Sequence, residues 1–349
     1  MNHSAKYFST ITYVFYIILL IVPCSELALR ILGYQAYHQR VFHIEASPEH
    51  CIIAHPELGF ALHPGGYEVT INEGLHYFVR HGKDSLRFTG NTIHEDSRQD
   101  SIYFFGCSYT YGMGISDSLT FPFLIQQSKP NSYIRNFGVP GYGTVQSYLQ
   151  LKQLIKTNEK PTAIIINYAD FHDDRNALTP AYRRDLFMGF QASNPSVEST
   201  MQQASVPFVG KKAGIYQLQS CKWQHIYESW PSRKTFAFVN FLQDFSDQRK
   251  TDTIDKKETT LSIFSQIKGL CDQHNIRMLV TGITPSIQTK EMLLNLKKAG
   301  IQTLDIAIDL SLKKYTNAPY DDHPNAKAHA IFAKKLLSNW ILDKAQVRK

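Results

Sequence analysis

From Ser101 onward, short apolar runs alternate with longer segments whose apolar residues recur at helical spacing. SIYFFG reads as a buried strand, and SYIRNFGV, PTAIIINY, IRMLVTGI and QTLDI read as further strands. Between them, SLTFPFLIQQ carries Pro122 near the first turn of a short helix. TVQSYLQLKQLIKT places Val145, Tyr148, Leu149, Leu151, Leu154 and Ile155 on one side of another. Further helices are expected around Leu261–Cys271, in SIQTKEMLLNLKKAG and in AKAHAIFAKKLLSNWIL. Strands alternating with helices predict an α/β fold: a parallel sheet covered on both faces, three-layered and flavodoxin-like.

Three stretches follow other patterns. No charged residue lies between Tyr7 and Ser25, and as a helix this stretch would be about 28 Å long, against a hydrocarbon core of roughly 30 Å. Residues 1–33 therefore read as a single N-terminal transmembrane helix or a cleaved signal. The uncleaved anchor is favoured because no A-x-A-like site follows the run. Lys and Arg are nearly balanced on its two flanks and do not fix its orientation. Residues 34–100, rich in Gly, His and Pro with alternating runs such as YEVTI and LHYFVR, read as a small β-rich lead-in to a main domain over 101–345. Within that domain, residues 173–255 are polar, dotted with aromatics and without clear period. They are too long for an ordinary loop, which rarely exceeds about 15 residues, and read as an inserted cap region.

Composition narrows the classes. The 349 residues are 43% hydrophobic, 12% aromatic and 19% charged, which suits a large packed core and excludes disorder. Net charge is +7, but the basic residues are interspersed with acidic ones and form no dense tract, so no nucleic-acid partner is expected. The five cysteines show neither a CxxC pair nor metal-ligand spacing, and no metal or cofactor is expected.

In open parallel sheets ligands gather outside the carboxyl ends of the strands. Three loops leave such ends: GCSYTYG with Ser108; NFGVPGYGT with Asn136, Gly138, Gly141 and Gly143; and NYADFHDDRN. A fourth piece, YDDHPNAKAH, precedes the last helix. A serine hydroxyl needs a base to take its proton, that histidine gains from a carboxylate, and the oxyanion needs N–H donors. Ser108, His323, Asp321 and Gly141 can fill these roles. Cys107, its side chain directed away from that of Ser108, reads as a small buried filler. Asp170, Asp173 and Asp174 read as a solvated acidic loop rather than a metal cluster.

The blocks FFGCSYTYG, NFGVPG and DDHPNAKAH, in this order, resemble the SGNH (GDSL-type) hydrolase family, particularly its membrane-anchored bacterial cell-envelope members. The resemblance runs from about Ser101 to the C-terminus, outside the insertion. It implies Ser108 as nucleophile, His323 as base, and the backbone amides of Ser108 and Gly141 as oxyanion donors. Two departures stand out. The family places its Asp three residues before the His, where this chain has Tyr320; Asp321 is preferred over Asp322 because alternate residues of an extended segment share a side. The family's third block offers an oxyanion-donating Asn, where this chain has Asp170, and an ionised carboxylate cannot donate. His172 and Asn167 are the candidates for that third donor.

The expected activity is a serine esterase acting on O-acyl groups of a cell-envelope glycan or lipid. An O-acyltransferase acting on a surface polysaccharide with the same serine and histidine is the alternative. The third reading is an inactive glycan-binding or assembly subunit. The expected location is membrane-anchored, with the catalytic domain extracytoplasmic, at the inner membrane and periplasm or the cell surface.

Overall fold

Strand alternation explains the core. In the computed structural model, which describes residues 3–38, 43–90, 100–192 and 200–341, Ile102 and Phe104 of one strand face one layer and Tyr103 and Phe105 the other. This strand, Asp100–Phe105, lies inside a five-stranded parallel sheet with Ser132–Asn136, Ala163–Tyr168, Arg277–Gly282 and Gln302–Asp305. Numbering all strands along the chain, these are β6, β7, β8, β11 and β12, in the sheet order β12-β11-β8-β6-β7. Helices Thr144–Lys156, Lys256–His274 and Ile287–Lys298 cover one face through Val145, Leu151, Ile263, Phe264, Ile267 and Met292. Helices Phe121–Ser128 and Ala326–Leu336 cover the other through Phe121, Ile125, Ala328, Phe332 and Leu336. The expected α/β sandwich with a parallel sheet is the observed one.

The chain divides into two units, residues 1–41 with 227–254, and residues 42–226 with 255–349. The larger unit holds the sheet and the lead-in from residue 42 onward, whereas residues 34–41 belong to the smaller unit. Strands β1 (Ile44–Ser47), β4 (Gly65–Ile71) and β5 (Leu75–His81) pair antiparallel, and β2 (Ile52–His55) with β3 (Gly59–Leu62) forms a hairpin. Arg87, just past β5, bridges to Asn136 at the sheet's edge strand.

The smaller unit joins a long N-terminal helix, His3–Ile31, to a helix over Ala237–Asp252. The Glu26 carboxylate accepts from the N–H groups of Ala237 (3.1 Å) and Phe238 (2.8 Å), satisfying donors that a helix start leaves open. Tyr34 packs edge-on against Phe241 at 5.2 Å. Among the described residues no helix is long and apolar enough to cross a membrane, and several side chains of the N-terminal apolar run lie outside those described.

The segment expected as one inserted cap carries regular elements and divides between the two units. Helices His172–Asn176 and Pro180–Ala192 and a hairpin of β9 (Ser205–Lys212) and β10 (Ile215–Lys222) belong with the sheet, whereas 227–254 belong to the smaller unit. The helix His172–Asn176 is short and β10 is mostly exposed, so neither leaves a sustained apolar stripe to read.

Candidate active site

Ser108 opens the four-residue helix Ser108–Tyr111 directly after β6. The turn needs its glycine: a Cβ on Gly106 would lie 2.2 Å from Thr110 Oγ1. Gly138 is pressed equally close, since its Cβ would lie 2.5 Å from the Tyr111 nitrogen. Asn136, at the end of β7, ties the two loops together. Its Nδ2 donates to Thr110 O (2.9 Å) and its Oδ1 accepts from Gly138 N–H (2.9 Å).

The histidine arrives from the far end of the chain. Residues Asp321–Pro324 form the short strand β14, which pairs antiparallel with β13 (Thr316–Asn317). His323 Nε2 lies 2.8 Å from Ser108 Oγ, and His323 Nδ1 lies 2.7 and 2.9 Å from the two carboxylate oxygens of Asp321. The network fixes the tautomer: Nδ1–H donates to the carboxylate, and Nε2 accepts from the serine hydroxyl. Asp321 is 5% exposed and Ser108 4%, whereas Asp322 points to solvent. The strand's alternation thus separates the two aspartates. Tyr320, where the resemblance would place the acid, lays its ring against Gly74, whose added Cβ would lie 2.1 Å from it. The Tyr320 carbonyl accepts from Asn72 Nδ2 at 2.8 Å.

Among the described residues, neither the Ser108 nor the Gly141 N–H is bonded to a protein acceptor. The serine amide is free as the first of its helix, and Gly141 sits at φ +88°, a conformation that glycine adopts without a steric cost. The two proposed third donors are not placed for that role. Asn167 is wholly buried between strands: its Nδ2 donates to Phe105 O (3.2 Å), and its Oδ1 accepts from Thr281 Oγ1 (2.7 Å). His172 is also wholly buried, edge-on to Tyr168 and Phe171, with neither ring nitrogen bonded among the described residues. Burial holds its imidazole well below its ordinary pKa.

The acidic loop is not a solvated one. Asp173 accepts from Tyr168 Oη and Thr260 Oγ1, Asp174 from Thr179 Oγ1 and Lys256 Nζ, and Asp170 from Thr284 Oγ1. Burial lifts the Asp173 carboxyl to about 6. Cys107 is a fully buried side chain.

Three features have no signal in the sequence. Arg87 is 1% exposed and its guanidinium grips the far end of the serine turn, donating to the carbonyls of Tyr111 (2.8 Å), Gly112 (2.7 Å) and Ile115 (2.6 Å) and to Asp117 (3.1 Å). Tyr109 stands between Phe171 and the His323 ring, at 5.6 and 5.5 Å. Tyr142, beside Gly141, donates its hydroxyl to Phe60 O of β3. A lone arginine or tyrosine in a polar stretch is silent until tertiary contacts give it a role.

Sheet, chain order and the three side chains together define an α/β protein with a Ser–His–Asp constellation. No protein-family model matches the chain, and no curated protein matches it. Solved structures similar to it include a lipolytic G-D-S-L family member from Veillonella parvula, with 12% identity, a TM-score of 0.37, and coverage of 69% of this chain and 97% of that one. Another is the psychrotrophic esterase EstA from Pseudoalteromonas sp., with 10% identity, a TM-score of 0.38, and coverage of 69% and 96%. A third is Axe2, an acetyl xylan esterase from Geobacillus stearothermophilus, with 13% identity, a TM-score of 0.34, and coverage of 69% and 94%. At these TM-scores the chemistry rests on the chain's own residues.

Proposed function

We propose that the protein is a serine esterase of the SGNH type, acting on O-acyl groups of a cell-envelope glycan or lipid. The observation that carries this reading is the continuous relay Ser108 Oγ–His323 Nε2, His323 Nδ1–Asp321. In the forward step Ser108 Oγ attacks the ester carbonyl while His323 Nε2 takes its proton. The Oγ–C bond forms, and the oxyanion is met by the N–H groups of Ser108 and Gly141. Collapse breaks the C–O bond to the alcohol, whose oxygen receives the proton from His323. Water repeats the sequence in reverse, releasing the acid and restoring the serine.

Transfer of the acyl group to a sugar hydroxyl is the second reading, since the same Ser108 and His323 would serve an alcohol acceptor in place of water. We further propose that the uncharged stretch from Tyr7 to Ser25 tethers the protein to a membrane with the site on the extracytoplasmic side. An alkyl fluorophosphonate probe is expected to label Ser108 in the wild type and to label neither Ser108→Ala nor His323→Ala. Release of p-nitrophenol from p-nitrophenyl acetate should fall in parallel, by at least a thousandfold. Absence of labelling in a folded wild-type protein would leave a binding protein rather than an enzyme. Acetate counted against acetylated oligosaccharide then separates hydrolysis from transfer.

A further inference from the structure

Arg175 shares the short helix His172–Asn176 with Asp173 and Asp174 and lies five residues past Asp170, yet among the described residues it forms an ion pair with none of them. Asp173 and Asp174 are turned toward Thr260 and Lys256, and Asp170 toward Thr284. The half-buried guanidinium of Arg175 turns the other way. Its carbon sits 4.3 Å from the centre of the Phe171 ring and 5.7 Å from that of Tyr182, and Nη1 donates to Tyr142 O at 2.8 Å. That carbonyl belongs to the residue after Gly141, whose own carbonyl accepts from Tyr182 Oη at 2.6 Å. Across Phe171 stands Tyr109, which follows the serine and faces His323.

A guanidinium stacked on an aromatic face keeps its hydrogen-bonding edge open, and that edge matches a carboxylate in two parallel bonds. Only one of the five N–H groups of Arg175 is bonded to a described residue. The stack and the carbonyl fix the plane of the fork in advance, so little side-chain freedom is lost when an anion binds. Arg175 therefore presents an ordered cation beside the loop that supplies the Gly141 oxyanion donor.

We propose that Arg175 forms a carboxylate-binding subsite flanking Ser108, so that the ester taken by this site carries a carboxylate. Within the glycan reading, the substrate is an O-acylated acidic sugar rather than a neutral one. The inference rests on the esterase reading for where the ester sits, and concerns what accompanies it. The carboxylate could belong to the alcohol part or to the acyl part, and the two arms of the test separate these.

The test is binding to the full-length Ser108→Ala protein, measured by titration calorimetry with three probes. These are 3-acetoxybenzoate, with the carboxylate on the alcohol part; monophenyl succinate, with it on the acyl part; and neutral phenyl acetate. One carboxylated probe is expected to bind at least tenfold tighter than phenyl acetate. Adding Arg175→Met should collapse that preference to within twofold. Arg175→Lys, which keeps the charge and loses the planar fork, should reduce it at least threefold, and decides the matter if the methionine variant does not fold. Equal binding of all three probes, or a preference that survives both substitutions, overturns the proposal. Preference without any ester turnover by the wild type would uphold the subsite and remove the esterase reading instead.

Discussion

The Asp321 carboxylate meets His323 Nδ1 with both oxygens and is almost fully withdrawn from water, while its neighbour Asp322 is exposed. An imidazolium that forms during attack is stabilised by the buried charge next to it far more than by a solvated one. Asp321→Asn removes that charge and allows the ring to reverse its tautomer, leaving a proton on Nε2 where the serine hydroxyl needs an acceptor. A fall in kcat of roughly a thousandfold or more is expected with p-nitrophenyl acetate, from the cost seen when such a carboxylate is replaced by its amide. Asp322→Asn should change kcat less than about threefold, since an exposed charge is screened by solvent and salt. Equal losses from the two substitutions would assign the orienting role to both carboxylates or to neither. Asp321 could be selected from sequence because period-two alternation in a short extended segment is a local rule. Asn167 and His172 could not be rejected in the same way. What occupies Asn167 is Thr281, 114 positions downstream, and what encloses His172 includes Tyr168 and Phe171 on a buried turn.

The lead-in strands acquire a purpose at the scale of elements. Asn72, in the turn between β4 and β5, holds the Tyr320 carbonyl just before the histidine strand, Phe60 of β3 receives the Tyr142 hydroxyl beside the Gly141 loop, and Arg87 holds the end of the serine turn. Three separate loops of the site are therefore clamped by a segment that precedes the sheet. Arg87→Met leaves the Tyr111, Gly112 and Ile115 carbonyls and the Asp117 carboxylate without their shared donor. Asp117 keeps its bonds from the Arg80 N–H and Nε, so the loss falls on the three carbonyls, and leaving buried acceptors without a donor typically costs about 1–3 kcal/mol. A drop of that order is expected in urea unfolding, with Arg87→Lys intermediate because one ammonium cannot span four acceptors in a plane. A midpoint within experimental error of wild type would show that the clamp contributes nothing to folding. The α/β alternation after Ser101 was legible because each strand and helix carries its own period. The clamp was not legible: Arg87 meets partners 24 to 30 residues away, and Asn72 and Phe60 meet partners 248 and 82 residues away.

Over the whole molecule, acid should act mainly through histidines buried in neutral form. His81, 5% exposed, is held to about 4 by burial, and His329, fully buried with Nδ1 accepting from Phe121 N–H, to about 3. Both lie below the ordinary imidazole value near 6.5, so between that value and their folded values the unfolded chain binds protons that the native state refuses. Their contribution to stability is complete above about pH 6.5 and is lost as pH falls toward 4. Asp173 acts in the opposite sense. Its carboxyl, lifted by burial to about 6, keeps its proton in the native state between the ordinary aspartate value and 6, so this contribution is lost as pH rises through that window. His172, wholly buried and held well below its ordinary value, adds to His81 and His329, so near pH 5 the buried histidines outweigh the one carboxyl and net stability should rise with pH from 4 to 6.5. Substitution tests the division, because each group moves the slope in its own direction. His329→Gln should flatten the rise in urea midpoint between pH 4.5 and 6.5, and Asp173→Asn should steepen it by removing the opposing proton. A profile left unchanged by either substitution would mean that the sensitivity to acid resides in other groups. His329 and Asp173 lie on opposite covers of the sheet, the first in the last helix beside Phe121 and the second bonded to Thr260 of Lys256–His274, so their effects should add in the double variant.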